Sequence, residues 1–107
     1  MSEYFTQALS RATFDSTKAT KADLATGETL FVGLNCFAPG QHQRVHTHTG
    51  ADKFYFLLSG KARMTVGDDT QDVGPGTLVW APAGVPHGVI EASERTVMLV
   101  AIAPAPG

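Results

Sequence analysis

The chain has one cysteine, Cys36, so no intrachain disulfide can form. It has no apolar run near the ~18 residues that a membrane-spanning helix requires. Lys and Arg number 8 against 10 Asp and Glu, and the cations form no cluster. That argues against nucleic acid as the main partner. The start, MSEYFTQALSR, carries Glu3 and lacks a cationic stretch leading into an apolar one, so no secretory signal is expected. A cytoplasmic location is the default that remains. There is no internal repeat and no linker-like stretch, and 107 residues suffice for one domain only. A chain of this size buries roughly two-thirds of its surface, enough for one core. A hydrophobic fraction of 43%, a charged fraction of 17% and a net charge of −2 fit a soluble globular protein.

What the chain does have is punctuation. From Gly27 onward its glycines and prolines recur at short intervals between runs of Val, Leu, Phe and Thr. That spacing predicts an all-β sandwich or barrel of eight to ten short strands with little helix. Strands are expected over 29–37, 44–48, 53–59, 61–66, 70–73, 77–81, 87–90 and 96–103. Residues 61–66 alternate cleanly, with Ala62, Met64 and Val66 on one face and Lys61, Arg63 and Thr65 on the other. Residues 1–26 are the least patterned. They are read as an N-terminal extension on a barrel domain of 27–107, with a turn of helix over 3–9 and an edge strand over 13–15 or 17–24. Cys36 reads as a small core residue.

The chemistry sits in His46-Thr47-His48. In a strand, residues i and i+2 share a face, so the two imidazoles stand on one side about 6–7 Å apart at the backbone. A third, His87, follows the stretch Pro82-Ala83-Gly84-Val85-Pro86. Neutral imidazole is the commonest protein ligand for first-row transition metals. A tripod of three leaves positions free for water or substrate, as catalytic sites do. A solitary histidine is more often a satisfied core or surface residue, but an alternating pair shifts the balance toward a ligand.

Two spaced motifs carry a resemblance. Gly40, five residues, His46-Thr47-His48 and then Gly60 form the first; Gly76, five residues, Pro82-Ala83-Gly84, two residues and His87 form the second. In order and spacing the chain resembles a small single-domain cupin. The resemblance implies a double-stranded β-helix, or jelly-roll barrel, with one divalent transition metal ion (Zn, Ni, Fe, Mn or Cu) held at the barrel mouth by His46, His48 and His87.

There are departures. The family usually adds a glutamate ligand separated by six residues from the motif's closing glycine. Here that position is Lys53, with Asp52 one place earlier. Register favours Lys53 as the inward residue. Charge favours Asp52 as a fourth ligand, because two unit charges 4 Å apart repel by about 4 kcal/mol at an effective dielectric of ~20. The asparagine that ends the second motif in the family is replaced by Glu91.

No residue reads as a dedicated general base. Tyr55, Met64 and Lys53 are the candidate substrate contacts, and Trp80 is a candidate contact between protomers. The resemblance implies an oxygenase-like or isomerase-like enzyme acting on a small organic molecule, and a homodimer. The alternative is a non-catalytic small-ligand-binding or sensor module with a structural or absent metal, which Lys53 in the acid's place favours.

Overall fold

A computed structural model describes residues 4–106. Nine strands form: β1 (Thr20–Thr26), β2 (Phe31–Phe37), β3 (Gln43–His46), β4 (Asp52–Ser59), β5 (Ala62–Val66), β6 (Asp69–Val73), β7 (Leu78–Ala81), β8 (His87–Ala92) and β9 (Thr96–Ala103). They make two antiparallel sheets, one in the order β1-β2-β9-β4-β7 and the other β3-β8-β5-β6. The turn spacing predicts a strand-rich sandwich or barrel, and the arrangement found is the double-stranded β-helix that the resemblance implies.

The motif glycines explain why the turns hold. Gly40, Gly60 and Gly76 all have positive φ, at 86°, 89° and 89°, a region that a side chain makes costly. Gly60 is confined as well: a Cβ there would meet the backbone of Arg95 and the Thr96 side chain, with Thr96 Cα at 2.6 Å.

The core lies between the sheets. Phe37, Tyr55, Leu57, Met64, Val89 and Met98 are among its members. The alternation expected of β5 is present, with Ala62 and Met64 buried and Lys61 and Arg63 exposed. A second, smaller cluster of Leu34, Cys36 and Val97 forms on the other face of β2 and β9, where Phe14 and Leu24 of the N-terminal segment pack against it. Cys36 is fully buried as a free thiol.

The N-terminal segment differs in detail from its sequence reading. The expected helical turn over 3–9 lies partly outside the described residues, at Glu3. What forms instead is a 3-10 turn, Ala8–Arg11, while Tyr4 and Phe5 stay exposed. The strand runs over Thr20–Thr26, displaced from both expected ranges, because it is set by pairing with β2 across the Gly27–Leu30 turn. That pairing is not visible in a local pattern. No described helix is long and apolar enough to cross a membrane.

Candidate metal centre

β3 and β8 bring the three imidazoles together. His46 and His87 are directly opposed across these strands. The neighbouring Gly88 allows the close approach: a Cβ there would lie 2.8 Å from the Gln43 carbonyl oxygen and 2.9 Å from Val45 Cα. His48 follows β3, and its carbonyl accepts the Gly84 N–H at 2.9 Å, which ties the first motif to the proline loop of the second. One ligand nitrogen from each of the three histidines lies within 4.8 Å of the others.

Hydrogen bonds fix how two of the rings present themselves. His46 Nδ1 is 2.9 Å from the Arg44 carbonyl oxygen, and His87 Nδ1 is 2.9 Å from that of Val85. A carbonyl only accepts, so in each ring Nδ1 carries the proton and Nε2 keeps a free lone pair. Backbone anchoring of the non-ligating nitrogen is the usual support for a metal-binding imidazole. His46 Nε2 and His48 Nε2 are 3.2 Å apart. With Zn–N or similar bonds of about 2.1 Å, that separation subtends roughly 100° at an ion. His87 is 1% exposed, and its Nε2 is buried with no hydrogen-bond partner. A buried nitrogen lone pair without a partner is costly unless something binds it, and a cation at this point would satisfy it. The donor set therefore fits a divalent transition metal.

Electrostatics favour the neutral, ligating form. Burial, followed by the charge of Lys53, lowers the His48 pKa from the ordinary 6.5. Burial also lowers that of His87, against the opposing effect of its bond to Val85.

β4 turns Lys53 and Asp52 to opposite faces. Lys53, Tyr55 and Leu57 are buried toward the core, and Asp52 is exposed. With a side-chain period of two, adjacent residues cannot share a face. The structure does not bring Asp52 into the imidazole group; its Oδ1 instead accepts the Ala83 N–H at 2.9 Å, bracing the proline loop from outside. Lys53 is 7% exposed, and its Nζ stands 4.5 Å from the centre of the Tyr55 ring. Burial, and then Lys21, pushes the Lys53 ammonium down to about 8.

Of the other expected contacts, Tyr55 is fully buried beneath His87, with ring centroids 6.1 Å apart, and its hydroxyl donates to Gln43 Oε1 at 2.6 Å. Met64 is not in the cavity beside the imidazoles. It belongs to the core and lines a separate cavity of about 250 Å³ near Trp80. Trp80 is half exposed, and Glu91 is exposed.

A cavity of about 390 Å³ opens beside His46 and His48 and is bounded by Lys53, Gln43, Asn35 and Ile102. Asn35 escapes a reading of the sequence, where it sits within an apolar run (TLFVGLNCF) without a motif. The only signal is a polar residue inside a strand expected to be mostly buried.

A jelly-roll barrel with a three-histidine cluster at one mouth defines a class of small β-barrel domains. Residues 33–103 match the family model described as the cupin domain, and the chain belongs to that family. It is 38% identical over 75 residues to an uncharacterised protein of Streptomyces coelicolor, a match that spans 70% of each chain. Its fold is similar to that of the solved structure of TT1209 from Thermus thermophilus, with a TM-score of 0.90 and 35% identity over 95% of this chain and 98% of that one. It is also similar to an RmlC-like cupin from Desulfovibrio desulfuricans, with a TM-score of 0.83 and 26% identity over 94% of this chain and 95% of that one.

Proposed function

We propose that this cupin binds one divalent transition metal ion through Nε2 of His46, His48 and His87 and acts at that ion on a small organic molecule, as an oxygenase-like or isomerase-like enzyme. The observation that carries the reading is the buried, partnerless Nε2 of His87 facing a histidine pair, two of the three rings being held by backbone carbonyls through Nδ1. A bound ion would supply polarisation of a substrate oxygen, or activation of water or dioxygen, at the positions the histidines leave free. The chain's own contribution is to aim the imidazoles, to keep His48 and His87 neutral by burial, and to shape the adjoining cavity. Asp52 plays no part as a ligand in this reading.

Cobalt(II) titration of metal-free protein tests it. Visible absorption bands that saturate at one equivalent, and that disappear in His87→Ala, are expected; their absence from the wild type would overturn the reading.

A second reading, a non-catalytic module that holds a small ligand, is favoured by Lys53, which occupies the inward position where the family usually has an acid. Oxygen-uptake and isomerisation assays on metal-loaded protein separate the two.

A homodimer is part of the proposal, supported by the half-exposed apolar side chains Val45, Leu78, Trp80 and Ile90. So are a cytoplasmic location and the division into an extension over 1–26 and a barrel over 27–107. The buried free thiol of Cys36 is compatible with a reducing compartment.

A further inference from the structure

We infer that the cavity beside the histidines is an anion subsite, built to hold a small organic acid with its carboxylate on Lys53 and with Asn35 as a further donor. The inference rests on the proposed function for how the bound acid is used, and names its substrate class. Its basis in the structure is separate from the metal.

Lys53 is 7% exposed, and among the described residues no carboxylate or hydrogen-bond acceptor is paired with it. Its contact is with the face of Tyr55, a cation–π interaction that does not replace a counter-ion. Its side chain is buried while its ammonium opens on the cavity, where a cation without a counter-ion attracts an anion. Asn35 is 3% exposed, and its Nδ2 is buried with no partner, a second donor without an acceptor on the wall of the same cavity. Lys53 and Asn35 both face inward from the five-stranded sheet on either side of β9, Asn35 opposite Met98 and Lys53 opposite Ile102 four residues further along, so they stand at two levels of one cavity wall.

Lys21, the cross-strand partner of Asn35, and Arg44 stand at the rim, and no aspartate or glutamate lines the cavity. The pocket thus presents donors and positive charge without an acceptor of its own charge type. A carboxylate on the ammonium accepts a charge-assisted hydrogen bond, and Asn35, further along the same wall, offers a donor to a second polar group of the same molecule. The volume of about 390 Å³ suits a small molecule. His46 and His48 line the same cavity, so the rest of such an acid lies against the imidazoles.

Calorimetric titration tests this with a panel of acids and their neutral amides: pyruvate and pyruvamide, lactate and lactamide, malonate and malonamide, with inorganic phosphate as a control for the anion class. Each is titrated into protein of measured metal content and into chelator-stripped protein. At least one acid is expected to bind ten times or more tightly than its amide. Lys53→Met should erase that preference, Lys53→Arg should retain it, and Asn35→Ala should weaken it severalfold, each with metal stoichiometry unchanged. No acid outbinding its amide, a preference that survives Lys53→Met, or phosphate binding more tightly than every carboxylate would overturn the inference. A Lys53-dependent preference in a protein that never takes up metal would sink the metal reading and leave the subsite standing. Metal uptake with no such preference would do the reverse.

Discussion

His46 and His87 face each other across β3 and β8, with ring centroids 4.4 Å apart. The first and second cupin motifs therefore meet through one cross-strand pair, at a point where two strands can approach only because Gly88 has no side chain. The three-histidine cluster is in this sense a consequence of strand pairing, and changes to the pairing should be felt in whatever the histidines bind.

Gly88→Ala tests that link. The added methyl must displace either the Gln43 carbonyl or the Val45 backbone. Overpacking of this kind costs about 1–3 kcal/mol, so the melting temperature should fall. Metal affinity should fall with it by at least tenfold, because His46 and His87 are moved apart. Unchanged affinity at reduced stability would mean that the pairing does not position the ligands.

Asp52→Ala should leave metal stoichiometry and affinity unchanged, since Asp52 points away from the imidazoles. It removes only the acceptor of the Ala83 N–H, an exposed bond whose loss costs about 1 kcal/mol or less. A large loss of metal in this variant would show that Asp52 swings inward on binding.

Lys53→Met should stabilise the ligand-free protein at neutral pH. The folded-state pKa of about 8 lies below the ordinary 10.5, so the unfolded chain binds the proton more tightly. The corresponding penalty on the folded state is up to about 3 kcal/mol. It applies in full below pH 8, shrinks as pH rises from 8 to 10.5, and is gone above that. Denaturant melts should therefore show the largest advantage for Lys53→Met at pH 7 and a vanishing one near pH 10.5. A stability gain that does not change with pH would point to packing instead.

Metal retention should persist in mild acid. Burial holds the pKa of His48 and of His87 below 6.5, so at pH 6.5 both rings remain mostly neutral and able to ligate. Affinity should fall with decreasing pH as protons compete for the ligand nitrogens, with His48 and His87 taking up theirs below the ordinary imidazole range. An NMR pH titration of metal-free protein in which the His48 or His87 ring takes up its proton above pH 6.5 would contradict the desolvated environment assigned to these rings.

The barrel is legible because its turns are written in glycine and proline and its histidines in a fixed spacing. Gly40, Gly60 and Gly76 mark positions that require positive φ, and His46 and His48 share a face through the two-residue period. Ambiguity remains where that period has nothing to act on. The run KFYFLLS is apolar almost throughout and does not declare an inward face, so Asp52 and Lys53 separate only once β4 is paired with β7 and β9. The alternation of β5 places Met64 in an interior, but only tertiary structure puts it on a different cavity from the one lined by His46 and His48. Asn35 has no local signature, since its significance lies in a missing partner. The start of β1 depends on pairing with β2 and not on its own composition.

The most direct measurement is elemental analysis of untagged protein, wild type beside the His46→Ala/His87→Ala double variant, after incubation with each candidate ion and removal of excess. Close to one equivalent of a single transition metal is expected in the wild type and none in the variant. A wild type that takes up no metal under any of these conditions, or a double variant that retains it in full, would show that the three histidines are not a metal site.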